Sequence, residues 1–215
     1  MAKVKICGLS DAAGVDAALN GGARFVGFVL HAKSPRLVQA EAALPLFDRA
    51  RGRADTVAVI SDAPFERFRA IAELLKPDWI QTHGAESPEH LAALRPLARK
   101  GVIKAIGVAR STDFDAVAAF EPVADMLLFD AKPPPGADRS GGHGAAFDWK
   151  LLKGRSFSKP WVLSGGLNPE NVAEAIALAG AGLVDVSSGV ESAPGLKDPA
   201  RIAAFLAAAG GRPLI

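Results

Sequence analysis

Trp161–Val190 reads WVLSGGLNPENVAEAIALAGAGLVDVSSGV, and within it lies one complete strand–helix–strand unit. Trp161–Ser164 and Leu183–Ser187 are apolar runs of strand length. Between them Val172, Ile176 and Ala179 recur at helical spacing. Asn168-Pro169 marks where that helix starts, a capping side chain followed by a first-turn proline. Six more runs of the strand kind precede this unit: Val4–Cys7, Arg24–Leu30, Thr56–Ile60, Asp78–Gln81, Val102–Val108 and Asp125–Phe129. They stand roughly 20 to 35 residues apart, the length of one strand plus one crossover helix.

The runs are nearly continuous in apolar residues, as expected of strands buried on both faces. Segments between them carry the helical period, as in Phe65, Phe68, Ile71 and Leu75, or in Ile202, Phe205 and Leu206. Ser87-Pro88 and Asp198-Pro199 repeat the cap-and-proline start, and Asp62-Ala63-Pro64 is a looser version. Pro45 and Pro96 fall inside stretches of helical period and blur their boundaries. A doubly wound sheet and a closed barrel both fit alternating strands and helices. The count of eight favours the barrel, and Cys7-Gly8-Leu9-Ser10 is no dinucleotide fingerprint. The expected fold is α/β, a single-domain (β/α)8 TIM barrel over residues 1–215.

Composition narrows the function. Of 215 residues, 49% are hydrophobic and 22% charged, with a formal net charge of +2, which describes a globular chain. Its Lys and Arg are dispersed, so no nucleic-acid partner is expected. No run of about 18 apolar residues exists, so no membrane span is expected. MAKVKICG lacks the long apolar run of a signal peptide. One cysteine excludes an intrachain disulfide, and a cytoplasmic location is the simplest expectation. Monomer and homodimer both remain open.

In a barrel, chemistry gathers at the C-terminal ends of the strands. Ser164-Gly165-Gly166 after the seventh strand and Ser188-Gly189 after the eighth are turns where a ligand can approach backbone N–H groups. Such turns, often with a short extra helix, make an anion site, and barrels frequently hold phosphate between these two loops. Gly165, Gly166, Ser188 and Gly189 are therefore candidate phosphate-binding residues. Cys7 closes the first strand. It is either a small buried apolar residue or, with positive charge nearby, a base or nucleophile. Asp130 follows the sixth strand, either as a turn former or as a site acid. Arg36, in Ser34-Pro35-Arg36, has a fork suited to a carboxylate. Gln81 and His83 share one face of the fourth strand and are candidate substrate-binding residues. Asp185, inside the eighth, must point inward or be paired, either as a substrate contact or as an anchor for a neighbour. The loop from Lys132 to Gly144 has the length of a lid or binding loop. His31, His90 and His143 lack metal-ligand spacing, so no metal is expected.

These residues resemble the phosphoribosylanthranilate isomerase family. The resemblance runs in order along essentially the whole chain. It comprises Lys5-Ile6-Cys7-Gly8, Ser34-Pro35-Arg36, Gln81-Thr82-His83-Gly84, Gly141-Gly142-His143-Gly144 with Phe147-Asp148-Trp149, Ser164-Gly165-Gly166-Leu167, and Asp185-Val186-Ser187-Ser188-Gly189-Val190-Glu191. It implies a barrel isomerase that performs an Amadori rearrangement on N-(5-phosphoribosyl)anthranilate in tryptophan biosynthesis. It also implies Cys7 as general base, Asp130 as general acid, Arg36 against the anthranilate carboxylate and the two glycine turns around the phosphate. Gly142 and Gly144 become loop contacts. The implied partner is a small phosphosugar, and no cofactor is implied. Two departures stand out: His143 replaces the threonine usual between those glycines, and His31-Ala32-Lys33 is off pattern. Another phosphosugar barrel enzyme is the rival reading, but it would place Lys/Glu pairs or His/Asp metal ligands at the strand ends. A non-catalytic phosphate-binding barrel is the other rival; it would not need both Cys7 and Asp130.

Overall fold

The computed structural model describes residues 1–132 and 146–210. Eight parallel strands close into a barrel in sequence order: β1 Lys3–Cys7, β2 Phe25–His31, β3 Asp55–Ile60, β4 Trp79–Thr82, β5 Gly101–Val108, β6 Met126–Ala131, β7 Trp161–Leu163 and β8 Leu183–Val186. Closure is made by β1 on β8, with Val4 opposite Val184 and Ile6 opposite Val186. All eight expected runs are strands, displaced by a residue or two at their ends.

The helices are α1 Ala12–Asn20, α2 Ala40–Ala50, α3 Phe65–Leu75, α4 Pro88–Leu94, α5 Val117–Phe120, α6 Val172–Ala179 and α7 Pro199–Ala208. Ser87 accepts a hydrogen bond from His90 N, and Asp198 accepts from Ala200 N and Arg201 N, as the cap motifs require. At Asn168-Pro169 the side chain accepts from Glu170 N and Asn171 N, yet regular helix begins only at Val172. Asp62 caps nothing in α3; its carboxylate accepts from Ala85 N and ties two loops together. Pro45 is accommodated within α2, while Pro96 sits in a single 3-10 turn, Arg95–Leu97. Among the described residues, the connection from β6 to β7 contains a 3-10 turn, Trp149–Leu152, in place of an α-helix. Past β8 come a 3-10 turn, Ser188–Val190, and a small hairpin of β9 Glu191–Ala193 with β10 Leu196–Lys197.

Strand alternation sorts the side chains into two environments. Val4 and Ile6, Val26, Phe28 and Leu30, and Leu127 and Phe129 face outward and pack under the helices. Phe28 meets Phe47 of α2 with ring centroids 4.6 Å apart. Each such fully buried side chain stabilises the fold by about 1.5–3 kcal/mol. The alternate positions fill the barrel: Cys7, Phe25, Val29, Val57, Val59, Ile103, Ala105, Met126, Leu128, Val162 and Leu183 form one cluster there.

Acids at the N-terminal mouth lock neighbouring strands. Asp78 and Asp125, expected as strand residues, lie just outside. Asp78 accepts from Thr56 N and Oγ1, and Asp125 from Val102 N. Asp55 accepts from Lys100 Nζ at 2.6 Å, Arg24 at 3.1 Å and Trp79 Nε1 at 3.1 Å. Burial opposes its charge, but those donors outweigh it and hold the Asp55 carboxyl below its ordinary range. An acid whose pKa is lowered on folding adds stability above its unfolded pKa of about 3.9. That stability is lost as pH falls through the folded value. Urea unfolding followed from pH 7 down to pH 3 should therefore show a smaller acid-induced drop in midpoint for Asp55→Asn than for the unaltered chain. Equal drops would remove Asp55 from that role.

Candidate active site at the C-terminal mouth

The opposite mouth gathers the polar inward positions. From β1 comes Cys7, from β4 Gln81 with His83 just beyond it, from β6 Asp130, from β8 Asp185, and from the loops the two glycine turns. Alternation explains the set: Lys5 and Cys7, Gln81 and His83, Leu128 and Asp130, and Leu183 and Asp185 each lie two apart and face the same way.

Asp130 is buried near the top of β6. Its Oδ1 accepts from Ala131 N at 2.9 Å, and its Oδ2 lies 3.2 Å from His83 Nε2. On its other side His83 Nδ1 lies 3.2 Å from Gln81 Nε2. His83 stands between the Gln81 amide on one ring nitrogen and the Asp130 carboxyl on the other. Gln81, His83 and Asp130 thus form one chain across two strands that are not neighbours. The loop that carries His83 is tied down from behind. Lys104 Nζ donates to Gly84 O at 2.7 Å and to Glu86 Oε2 at 2.9 Å, and Glu86 also accepts from Gly84 N and Asp62 N.

Cys7 belongs to the barrel-interior cluster and is largely buried. Burial pushes its thiol up; the ammoniums of Lys5 and Lys197 pull the other way, and the Asp185 carboxylate reinforces burial. Asp185 is paired, as an acid inside a barrel strand has to be. Lys5 Nζ donates to its Oδ1 at 2.8 Å and Ser164 Oγ to its Oδ2 at 3.2 Å.

Arg36 is no solvated surface arginine, being 5% exposed. Its fork already grips a carboxylate: Nε donates to Glu191 Oε1 at 2.7 Å and Nη2 to Oε2 at 2.9 Å. Lys197 Nζ donates to the same Glu191 at 2.6 Å and to Ser187 O at 2.8 Å. Burial works against Glu191, but Arg36 and Lys197 outweigh it and keep its carboxyl below the ordinary range. The loops after β1, β2 and β8 meet here, for a Cβ on Gly8 would lie 2.6 Å from Arg36 Cδ and 3.0 Å from Ser187 Oγ.

The two glycine turns also touch. Gly165 has φ +88°, a left-handed conformation that favours glycine. A Cβ on Gly189 would lie 1.9 Å from the Leu167 carbonyl oxygen, so only glycine lets the β8 loop rest on the β7 loop. Gly166, Ser188 and Gly189 are half-exposed, and Ser188 opens a short 3-10 turn. Backbone N–H groups at the head of such turns suit an anion.

The structure therefore brings together Cys7, Gln81, His83, Asp130, Arg36, Asp185, Gly165, Gly166, Ser188 and Gly189 at one mouth. Gly142, His143 and Gly144 lie outside the described residues. Sequence reading missed Lys5 as a site residue, along with Ser164, Glu191 and Lys197. Lys5 had a usable signal, its two-residue offset from Cys7; Lys197 had none. Among the described residues no cluster of three or more His, Cys, Asp or Glu side chains is placed to hold a metal ion, and no helix is long and apolar enough to cross a membrane.

Comparison with known proteins gives this geometry a context. The model of the N-(5'-phosphoribosyl)anthranilate (PRA) isomerase family matches residues 4–208. The N-(5'-phosphoribosyl)anthranilate isomerase of Caulobacter vibrioides is 52% identical over 203 residues, covering 94% of this chain and 93% of that protein. The crystal structure of the phosphoribosyl anthranilate isomerase of Thermotoga maritima superposes with a TM-score of 0.87 at 36% identity, covering 98% of this chain and 99% of its own. A structure of phosphoribosyl anthranilate isomerase in complex with reduced 1-(o-carboxyphenylamino)-1-deoxyribulose 5-phosphate superposes with a TM-score of 0.82 at 32% identity, with coverage of 98% and 99%. A closed barrel with this mouth, matched along nearly all its length at such identities, belongs to the phosphoribosylanthranilate isomerase family.

Proposed function

We propose that the chain catalyses the Amadori rearrangement of N-(5'-phosphoribosyl)anthranilate to 1-(2-carboxyphenylamino)-1-deoxyribulose 5-phosphate, a step of tryptophan biosynthesis, by general acid–base catalysis. The observation that carries this reading is a thiol and a carboxyl group, Cys7 and Asp130, on inward positions of well-separated strands in a barrel of this family. Acid and base must reach a sugar from opposite sides, which two such strands permit.

Asp130 protonates the furanose ring oxygen. The bond from C1' to that oxygen breaks, and the anthranilate nitrogen lone pair completes a Schiff base. The Cys7 thiolate removes the proton at C2', and the electron pair flows into the C1'–N iminium to give an enolamine. The Asp130 carboxylate then takes the C2' hydroxyl proton while the Cys7 thiol gives its proton to C1', which yields the ketone and returns both groups to their starting states. His83, held by Gln81, orients the Asp130 carboxyl. Gln81 Oε1 is buried without a hydrogen-bond partner among the described residues, which leaves it an acceptor for a sugar hydroxyl. The glycine turns take the phosphate, and Arg36, aimed by Glu191, takes the anthranilate carboxylate. Gly142 and Gly144 contribute loop contacts in the same reading. Proton transfers of this kind proceed on side chains alone.

The first test is turnover itself, followed by the loss of phosphoribosylanthranilate fluorescence. Cys7→Ser and Asp130→Asn should each lower kcat by at least about 100-fold with the circular-dichroism spectrum unchanged; near-normal turnover in either removes that residue from its role. The raised thiol pKa fixes the sign of the pH dependence. Below that pKa the thiolate fraction grows about tenfold per pH unit, so kcat/KM should climb on the alkaline side of neutrality. A profile that falls there would show that ionisation of this thiol does not set the rate. Arg36→Ala, which removes a charged pair of donors, should raise KM by about tenfold or more with kcat less affected. An unchanged KM would detach Arg36 from the carboxylate.

A further inference from the structure

The acid–base scheme leaves a charged pair in the barrel unused, Lys5 and Asp185. Lys5 precedes Cys7 by two residues on β1, so both side chains enter the interior. Its exposure is 1%, where an ammonium needs partners on every side that water would have filled. Asp185 supplies one partner at 2.8 Å, and that carboxylate is itself fixed by Ser164. The thiol of Cys7 is the other polar neighbour, and the two groups feel each other electrostatically. The two groups crowd a single spot beside β2. A Cβ built on Gly27 would lie 3.1 Å from Cys7 Sγ, 3.2 Å from Lys5 Cε and 3.3 Å from Lys5 Nζ.

As a purely structural pair, Lys5 and Asp185 are hard to justify, because an apolar pair of the same volume is commonly as stable as a buried ion pair. The charge makes sense against the sulfur. We propose that Lys5 is a positioning residue for Cys7: Asp185 clamps its ammonium against the thiol, so that the anion that removes the substrate proton has a fixed counter-charge. This rests on Cys7 being the base, as proposed above. In the step itself the C2'–H bond breaks and an S–H bond forms, while Lys5 keeps its own proton. Burial works against that proton, yet Asp185 and Cys7 outweigh it and hold the ammonium above the ordinary lysine range. The other charges facing the sulfur are Asp185 from β8 and Lys197 from β10, the latter tied to Glu191 and, through it, to Arg36.

Cys7 is the sole thiol in the chain, so thiolate absorbance near 240 nm reports it without labelling. The comparison free of a stranded carboxylate sets Asp185→Asn against Lys5→Met/Asp185→Asn in the full chain. The thiol midpoint should rise by about one pH unit or more on loss of Lys5, while Lys5→Arg should keep it within about half a unit of the unaltered chain. Lys5→Met should lower kcat by about tenfold, a deficit that shrinks as pH rises, with KM changed less than about threefold. Coincident midpoints in the paired variants would overturn the proposal, even if turnover had fallen. An unaltered chain that turns over no phosphoribosylanthranilate would overturn the functional reading instead, and the titration would still decide whether Lys5 governs the thiol.

Discussion

A closed parallel barrel sends every second side chain of each strand into a space without bulk water, and the rest of the molecule answers to that constraint. An uncompensated charge there costs several kcal/mol, so the chain brings charges in only as hydrogen-bonded sets. Most inward positions are apolar, from Phe25 and Leu183 to Val59 and Ala105. Where polarity enters, a partner arrives from another strand. Lys5 of β1 meets Asp185 of β8 across the seam that closes the barrel, and His83 beyond β4 meets Asp130 of β6. The same contacts that make buried polarity tolerable also fix the side chains in direction, which an acid–base site requires.

The segments past β8 extend this logic beyond the strands. Two residues of the hairpin, Glu191 and Lys197, form with Arg36 a buried cation–anion–cation set. Removing the anion would leave two cations facing each other, so the hairpin and the loop after β2 hold their positions together. Behind the fourth strand, Lys104 and Glu86 perform the equivalent task for the loop of His83. Lys104 points away from the barrel axis and also lies over the Phe120 ring, 5.1 Å from its centroid. Its contribution to the site is to hold the backbone from which His83 projects.

What the sequence revealed and what it hid follow from the range of the forces involved. Strands β1 to β8 were legible because β-branched apolar runs are a local signal, and Ser87 and Asp198 because a cap acts within three residues. Asp78 and Asp125 were read as strand residues since each abuts an apolar run; only the fold shows them bonding a neighbouring strand from just outside. Cys7, Asp130, Gln81 and His83 could be placed by their position at strand ends. The Arg36–Glu191 and Lys5–Asp185 pairs could not be, because their partners lie 155 and 180 residues apart. For Arg36 the consequence is substantive: its fork is preset by an internal carboxylate, something no local pattern announces.

Among the described residues nearest Cys7 and the two loops, Lys5, Arg36 and Lys197 carry positive charge, with Asp185 set against Lys5 and Glu191 shared by Arg36 and Lys197. Each cation has an acid in contact, so beyond the proposed contact of Arg36 with the anthranilate carboxylate little side-chain charge is left over for a phosphate. The phosphate of a sugar bound here in the proposed reaction would then rely on groups whose polarity needs no counter-ion. The backbone N–H groups around Gly166, Ser188 and Gly189 are such groups, and they sit where the β7 and β8 loops are pressed into contact by a glycine that tolerates no side chain. Binding the dianion through the backbone keeps the lysine beside Cys7 committed to the sulfur and spares the thiol a competing claim on its counter-charge.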